Sequence, residues 1–72
     1  MIYCVRLDAF LAFLKNEGFA HVGQTKDDLL FTRGNEIVTV RRTAGNLTLL
    51  ETDTICNAAG LTPPIFDTFW CD

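Results

Sequence analysis

Leu29-Leu30-Phe31-Thr32-Arg33-Gly34-Asn35-Glu36-Ile37-Val38-Thr39-Val40 is the stretch on which the fold of this chain turns. Two runs rich in β-branched, aromatic and aliphatic residues flank Gly34-Asn35, a dipeptide suited to a two-residue hairpin loop. A loop of that length dictates the register: Arg33 stands opposite Glu36, Phe31 opposite Val38 and Leu29 opposite Val40. Side chains alternate along a strand, so Leu29, Phe31, Val38 and Val40 share one side, the predicted core side. Leu30, Thr32, Ile37 and Thr39 share the other, half polar and half apolar. Further out, Asp28 faces Arg41 and Asp27 faces Arg42. Three oppositely charged pairs are therefore expected around the hairpin, each contributing about 0.2–1 kcal/mol.

Upstream, Leu7, Phe10, Leu11 and Leu14 recur at the spacing of one helical face. Asp8 is the expected N-cap, and Gly18 is placed to end the helix in a left-handed conformation, with Phe19 folding back on the last turn. Ala20–Gln24 reads as a weak strand and Thr25-Lys26-Asp27 as a polar turn. Met1–Val5 has strand character and is expected at a sheet edge, open to a second copy. Downstream, Thr43-Ala44-Gly45-Asn46 reads as a turn and Leu47–Leu50 as a further strand, with Leu47 and Leu49 on the side of Val38 and Val40. Thr52 is the expected cap of a short helix ended by Gly60, with Ile55, Ala58 and Ala59 facing the core. Pro63 suits a first helical position, and Phe66, Phe69 and Trp70 follow at helical spacing. The reading is an α+β domain spanning 1–72, with an extra strand at 1–6 and an aromatic tail at 62–72. Its antiparallel sheet has three to four strands, packed by an N-terminal helix and a short C-terminal helix.

Composition narrows the function. A chain of 72 residues has room for one small core, yet 49% of its residues are hydrophobic. Surplus apolar surface points to a partner or to self-association. The net charge of -3 runs against nucleic-acid binding, which draws on a basic excess. Cys4, Cys56 and Cys71 lack paired zinc spacing and are expected as structural thiols in a reducing cytoplasm. Met1–Val5 is too short for a membrane span. The chain has no Ser, which removes serine-nucleophile chemistry, and its glycines form no phosphate loop. Asp27 and Asp28 point to opposite faces and so do not make a metal pair. No metal or cofactor is implied.

Three pieces of the chain carry a family resemblance. A helix ends in Lys15-Asn16-Glu17-Gly18-Phe19. Gln24-Thr25-Lys26-Asp27-Asp28-Leu29-Leu30-Phe31 follows, similar to a family pattern Q-K-G-S-H-x-I-F. Ile37-Val38-Thr39-Val40 then leads to a helix ending Ala58-Ala59-Gly60-Leu61. In this order they resemble the small α-β-β-β-α domain of HicA-like toxins, over roughly Leu7 to Leu61. The resemblance implies a fold like that of double-stranded-RNA-binding domains, an mRNA-cleaving activity and an antitoxin partner. It also implies a catalytic histidine where this chain has Asp28, so no catalytic residue carries over. A carboxylate beside RNA phosphates adds repulsion and has an unsuitable resting pKa.

The expectation is a non-enzymatic binding module, an inhibitor or regulator of the kind that phages and mobile elements encode. Its expected contact residues are Leu30, Ile37, Arg41, Phe69 and Trp70, with a homodimer through the Met1–Val5 edge as an alternative. The alternative function is RNA binding or cleavage, with Lys26, Arg33, Arg41 and Arg42 on phosphates and His21 as the single histidine.

Overall fold

The computed structural model describes residues 2–42 and 45–71, so Met1, Asp72 and the Thr43-Ala44 half of the expected turn lie outside the described residues. The chain folds as an α+β domain with two three-stranded antiparallel sheets and two helices. The elements are β1 (Ile2–Arg6), α1 (Leu7–Asn16), β2 (Ala20–Gln24), β3 (Asp28–Arg33), β4 (Glu36–Arg41), β5 (Asn46–Thr48), α2 (Leu49–Ala59) and β6 (Thr68–Cys71). One sheet has the order β2-β3-β4, the other β5-β1-β6.

The hairpin sets the β3 sheet in the expected register, from Arg33 opposite Glu36 out to Asp28 opposite Arg41. Gly34 takes φ 60° while Asn35 does not, so positive φ falls on the first loop residue alone, the type II′ pattern. Leu29, Phe31, Val38 and Val40 are all buried and belong to one cluster with Phe10, Leu14 and Phe19. β2 adds to the other side of β3, with a bulge between His21 and Gly23 that leaves Val22 exposed.

α1 starts at Leu7, directly after β1. Asp8 lies inside the first turn and accepts from the Ala9 N–H at 2.8 Å. It is not the cap: Arg6 occupies that position, without a capping side chain. Asp8 still complements the positive end of the helix. At the other end, Gly18 has φ 93°, the Phe19 N–H donates to the Leu14 carbonyl at 3.0 Å and the Gly18 N–H to Lys15 at 3.1 Å. These bonds form a Schellman motif that turns Phe19 back onto Leu14 inside the core.

The second half departs from the expected reading. Leu47 is buried as anticipated, but β5 pairs with β1 and not with β4. Leu49 and Leu50 begin α2, because Thr48-Leu49-Leu50-Glu51 is a capping box. Thr48 Oγ1 accepts from the Glu51 N–H at 3.1 Å, and Glu51 Oε1 accepts from the Thr48 N–H at 3.0 Å. Thr52 is therefore not a cap. It is buried within the helix, and its hydroxyl donates to the Leu49 carbonyl at 2.7 Å. The helix starts earlier than expected, and Cys56 and Ala59 face the core. Ile55 is half-buried and Ala58 is exposed.

The aromatic tail is no helix. Residues 61–67 have no regular secondary structure, with Phe66 packed on the Phe10 and Phe13 rings at centroid distances of 5.8 and 5.6 Å. Thr68–Cys71 then pairs along β1 as β6. β1 is thus the middle strand of its sheet, and the edge expected to be open at Met1–Val5 is paired with β6 along Ile2–Val5 and with β5 from Cys4 onward. Cys4 and Cys71 are joined as a disulfide, with Cα atoms 6.0 Å apart, where separate thiols were expected. Cys56 remains free and buried.

Candidate binding groove

Alternation along β3 and β4 turns Asp28, Leu30, Ile37, Thr39 and Arg41 away from the core. α2 packs along β4 and stands beside this outer face. Between them lies an open groove of about 470 Å³, lined by Asp28, Thr39 and Arg41 on the sheet and by Leu50, Thr54 and Ile55 on the helix. A hollow of about 140 Å³ continues it past Thr39, Thr54 and Ile55 to Ile37 and Ala58. Ile37 and Leu50 line different parts of this groove and are 72% and 75% exposed.

The charges in the groove differ from the expected pattern. Asp28 and Arg41 are register partners, yet their side chains form no ion pair among the described residues. The Asp28 backbone closes the preceding turn instead. Its N–H donates to Thr25 Oγ1 at 3.0 Å, and its carbonyl accepts from the Thr25 N–H at 2.8 Å. Asp27 and Arg42 meet through the backbone alone, the Arg42 N–H donating to the Asp27 carbonyl at 2.7 Å. Of the three expected pairs, only Arg33–Glu36 forms, at 2.8 Å. Glu51 also lines the groove, but its carboxylate is held by Thr48 in the capping box.

Arg33 is committed to the fold. Its Nη1 donates to the Glu17 carbonyl at 2.9 Å, its Nε and Nη2 donate to Glu36, and its guanidinium lies 4.7 Å from the Phe19 ring centroid. Of the four cations expected on phosphates, Lys26, Arg41 and Arg42 lie at the opposite end of β3 and β4, beside Asp27 and Asp28. The other expected contact residues separate as well. Leu30 and Ile37 are on the outer face of the β3 sheet, whereas Phe69 and Trp70 belong to β6 and, as neighbours in a strand, point to opposite faces. Trp70 stacks on Tyr3 at 3.9 Å.

His21 is exposed on β2, its ring 5.1 Å from that of Phe31, and makes no hydrogen bond among the described residues. A general base is normally oriented by a third group, and none is in place here. Burial pushes the Cys56 thiol up, and the carboxylates of Asp53 and Glu17 add to the shift. That thiol is protonated and unreactive at neutral pH. Among the described residues no three His, Cys, Asp or Glu side chains gather as metal ligands, and no helix is long and apolar enough to cross a membrane.

Sequence alone missed the groove wall formed by α2. The signal was present: Thr48-x-x-Glu51 starts a helix that places Leu50, Thr54 and Ile55 beside β4. No protein-family model, no curated protein and no solved structure matches the chain.

Proposed function

We propose that this chain is a non-enzymatic binding module, an inhibitor or regulator that grips a protein partner in the β4–α2 groove. The observation that carries this reading is the pair of exposed side chains Ile37 and Leu50 beside a groove lined by Thr39, Thr48 and Thr54 together with Asp28, Arg41 and Glu51. Apolar anchors beside polar groups that can hydrogen-bond are the make-up of a protein contact site. Arg41, four residues along β4 from Ile37 and about 13 Å away, adds a charge free to pair with a partner's acid. The relation to HicA-like toxins belongs to this proposal at the level of the domain. The RNA-cleaving role is disfavoured because Arg33 is engaged and the remaining cations sit among acids.

The compartment follows the state of Cys4 and Cys71. A cytoplasmic setting holds them mostly as thiols, and an oxidising one keeps the bond. Rapid alkylation of the protein in its native cells, followed by counting blocked cysteines, separates the two.

Capture from native cells tests the function. A protein partner should be retained by the wild type across about 50 to 200 mM salt and lost by the Ile37→Asp/Leu50→Asp double variant. Capture that is nuclease-sensitive and falls steeply with salt would overturn the reading in favour of RNA.

A further inference from the structure

Four strands have an edge facing away from their own sheet, and three of those edges are blunted. β2 is broken by the bulge at Val22, β4 has α2 lying along it, and β5 is three residues long. Devices of this kind keep sheet edges from pairing with other chains. β6 has none of them. Thr68-Phe69-Trp70-Cys71 pairs with β1 on one side only, carries no charge, proline or bulge, and leaves Trp70 55% and Phe69 39% exposed.

We propose that β6 pairs with β6 of a second copy of this chain, antiparallel about a two-fold axis through Trp70. The result is a continuous six-stranded sheet. In an antiparallel pair, directly opposed residues point to the same face. A two-fold axis at Trp70 therefore sets the two Trp70 rings side by side, and Phe69 of each copy opposite Cys71 of the other. Tyr3 is already directly opposite Trp70 and stacked on it. The dimer then carries a row of four rings, Tyr3 and Trp70 from each copy, on one face. The paired residues Phe69 to Cys71 are uncharged, so this register opposes no like charges.

The interface is small. Tyr3, Phe69 and Trp70 together offer on the order of 300 Å² of exposed surface per copy, taking about 150–250 Å² for a whole aromatic side chain and their exposures of 46%, 39% and 55%. Both copies together stay below the roughly 1,200 Å² of a stable complex. The dimer is accordingly weak, forming between about 10 µM and about 1 mM. It is independent of what the β4–α2 groove holds.

Sedimentation velocity on the oxidised full chain over that range tests it, alongside the emission of Trp70, the single tryptophan. The mass should rise from monomer toward dimer with concentration, and the emission should shift to the blue in step. Trp70→Lys places two cations across the axis and should weaken association at least about tenfold. Phe69→Lys charges the same edge opposite the uncharged Cys71 while keeping the Tyr3 and Trp70 rings, which covers the case in which losing the Tyr3 stack frees β6. The Ile37→Asp/Leu50→Asp double variant should dimerise as the wild type does, so the groove and the edge are tested separately. A monomer persisting at about 1 mM, or a dimer that survives Phe69→Lys, would overturn the proposal.

Discussion

Breaking the Cys4–Cys71 bond is the perturbation with the largest expected effect on this domain. The two cysteines are 67 residues apart in sequence. Cross-linking a loop of that length removes enough freedom from the unfolded chain to stabilise the fold by about 4 kcal/mol at 25 °C. A domain of this size has a total stability of roughly 4–11 kcal/mol, at about 0.05–0.15 kcal/mol per residue. Reduction therefore removes a third or more of the whole. At about 4–8 °C per kcal/mol for domains of this size, the melting temperature should fall by about 15–30 °C. Cys71→Ala should reproduce the drop without reductant. It leaves Cys4 as a buried thiol, which an apolar site tolerates well. The assay is a circular-dichroism melt of the oxidised, phosphine-reduced and Cys71→Ala proteins, with thiols counted after denaturation. Oxidised protein should show one thiol, Cys56, and reduced protein three. Three thiols in protein purified without reductant, or melts agreeing within about 5 °C, would refute the reasoning.

Four further outcomes follow from local geometry. Thr48→Ala removes one half of the α2 capping box and should cost about 1 kcal/mol in denaturant unfolding. Arg33→Ala loses a carbonyl hydrogen bond, a half-exposed ion pair and the contact with Phe19. After allowance for solvent screening the cost should be about 1–2 kcal/mol, and a loss below about 0.5 kcal/mol would show that these contacts are ornamental. Phe66→Ala should cost about 2 kcal/mol, less than a fully buried phenylalanine, because the ring is only half-covered by Phe10 and Phe13. The raised Cys56 thiol means that the folded state holds its proton to higher pH than the unfolded state does. Its contribution to stability is complete below the ordinary thiol value and is lost as pH rises through the raised one. Stability should thus decline on the alkaline side more steeply in the wild type than in Cys56→Ala, and parallel curves would contradict that origin.

The hairpin was legible because its information is local. Gly34-Asn35 sets the loop, the loop sets the register, and the alternation of Leu29, Phe31, Val38 and Val40 picks the buried side. The α1 stripe and the Gly18 stop were legible for the same reason. The tail was misread because spacing alone is ambiguous over a short apolar run. Phe66, Phe69 and Trp70 fit a helix on paper, but Phe69 and Trp70 find β1, more than sixty residues away, and Phe66 finds α1. Leu47-Thr48-Leu49-Leu50 posed the same ambiguity. There the capping box, a two-residue signal, outweighs the apolar run. In the groove, Ile37 and Arg41 followed from the register, whereas the α2 wall depended on that misplaced helix start. The missing Asp28–Arg41 contact marks a further limit. Opposed positions bring backbones together, but long side chains settle where solvent and neighbours allow.

The central place of β1 sets an order of events for folding. Its two partners, β5 and β6, come from the far half of the chain, whereas β2, β3 and β4 are joined by short turns. Closing long loops is slow relative to zipping a hairpin. In the reduced chain, where no bond holds Cys4 to Cys71, the β2–β4 meander is therefore expected to gain amide protection early in refolding, with the Ile2–Arg6 amides last to become protected. On a ribosome, β1 emerges well before its partner Thr68–Cys71, so a strand made early in this domain is among the last to be secured.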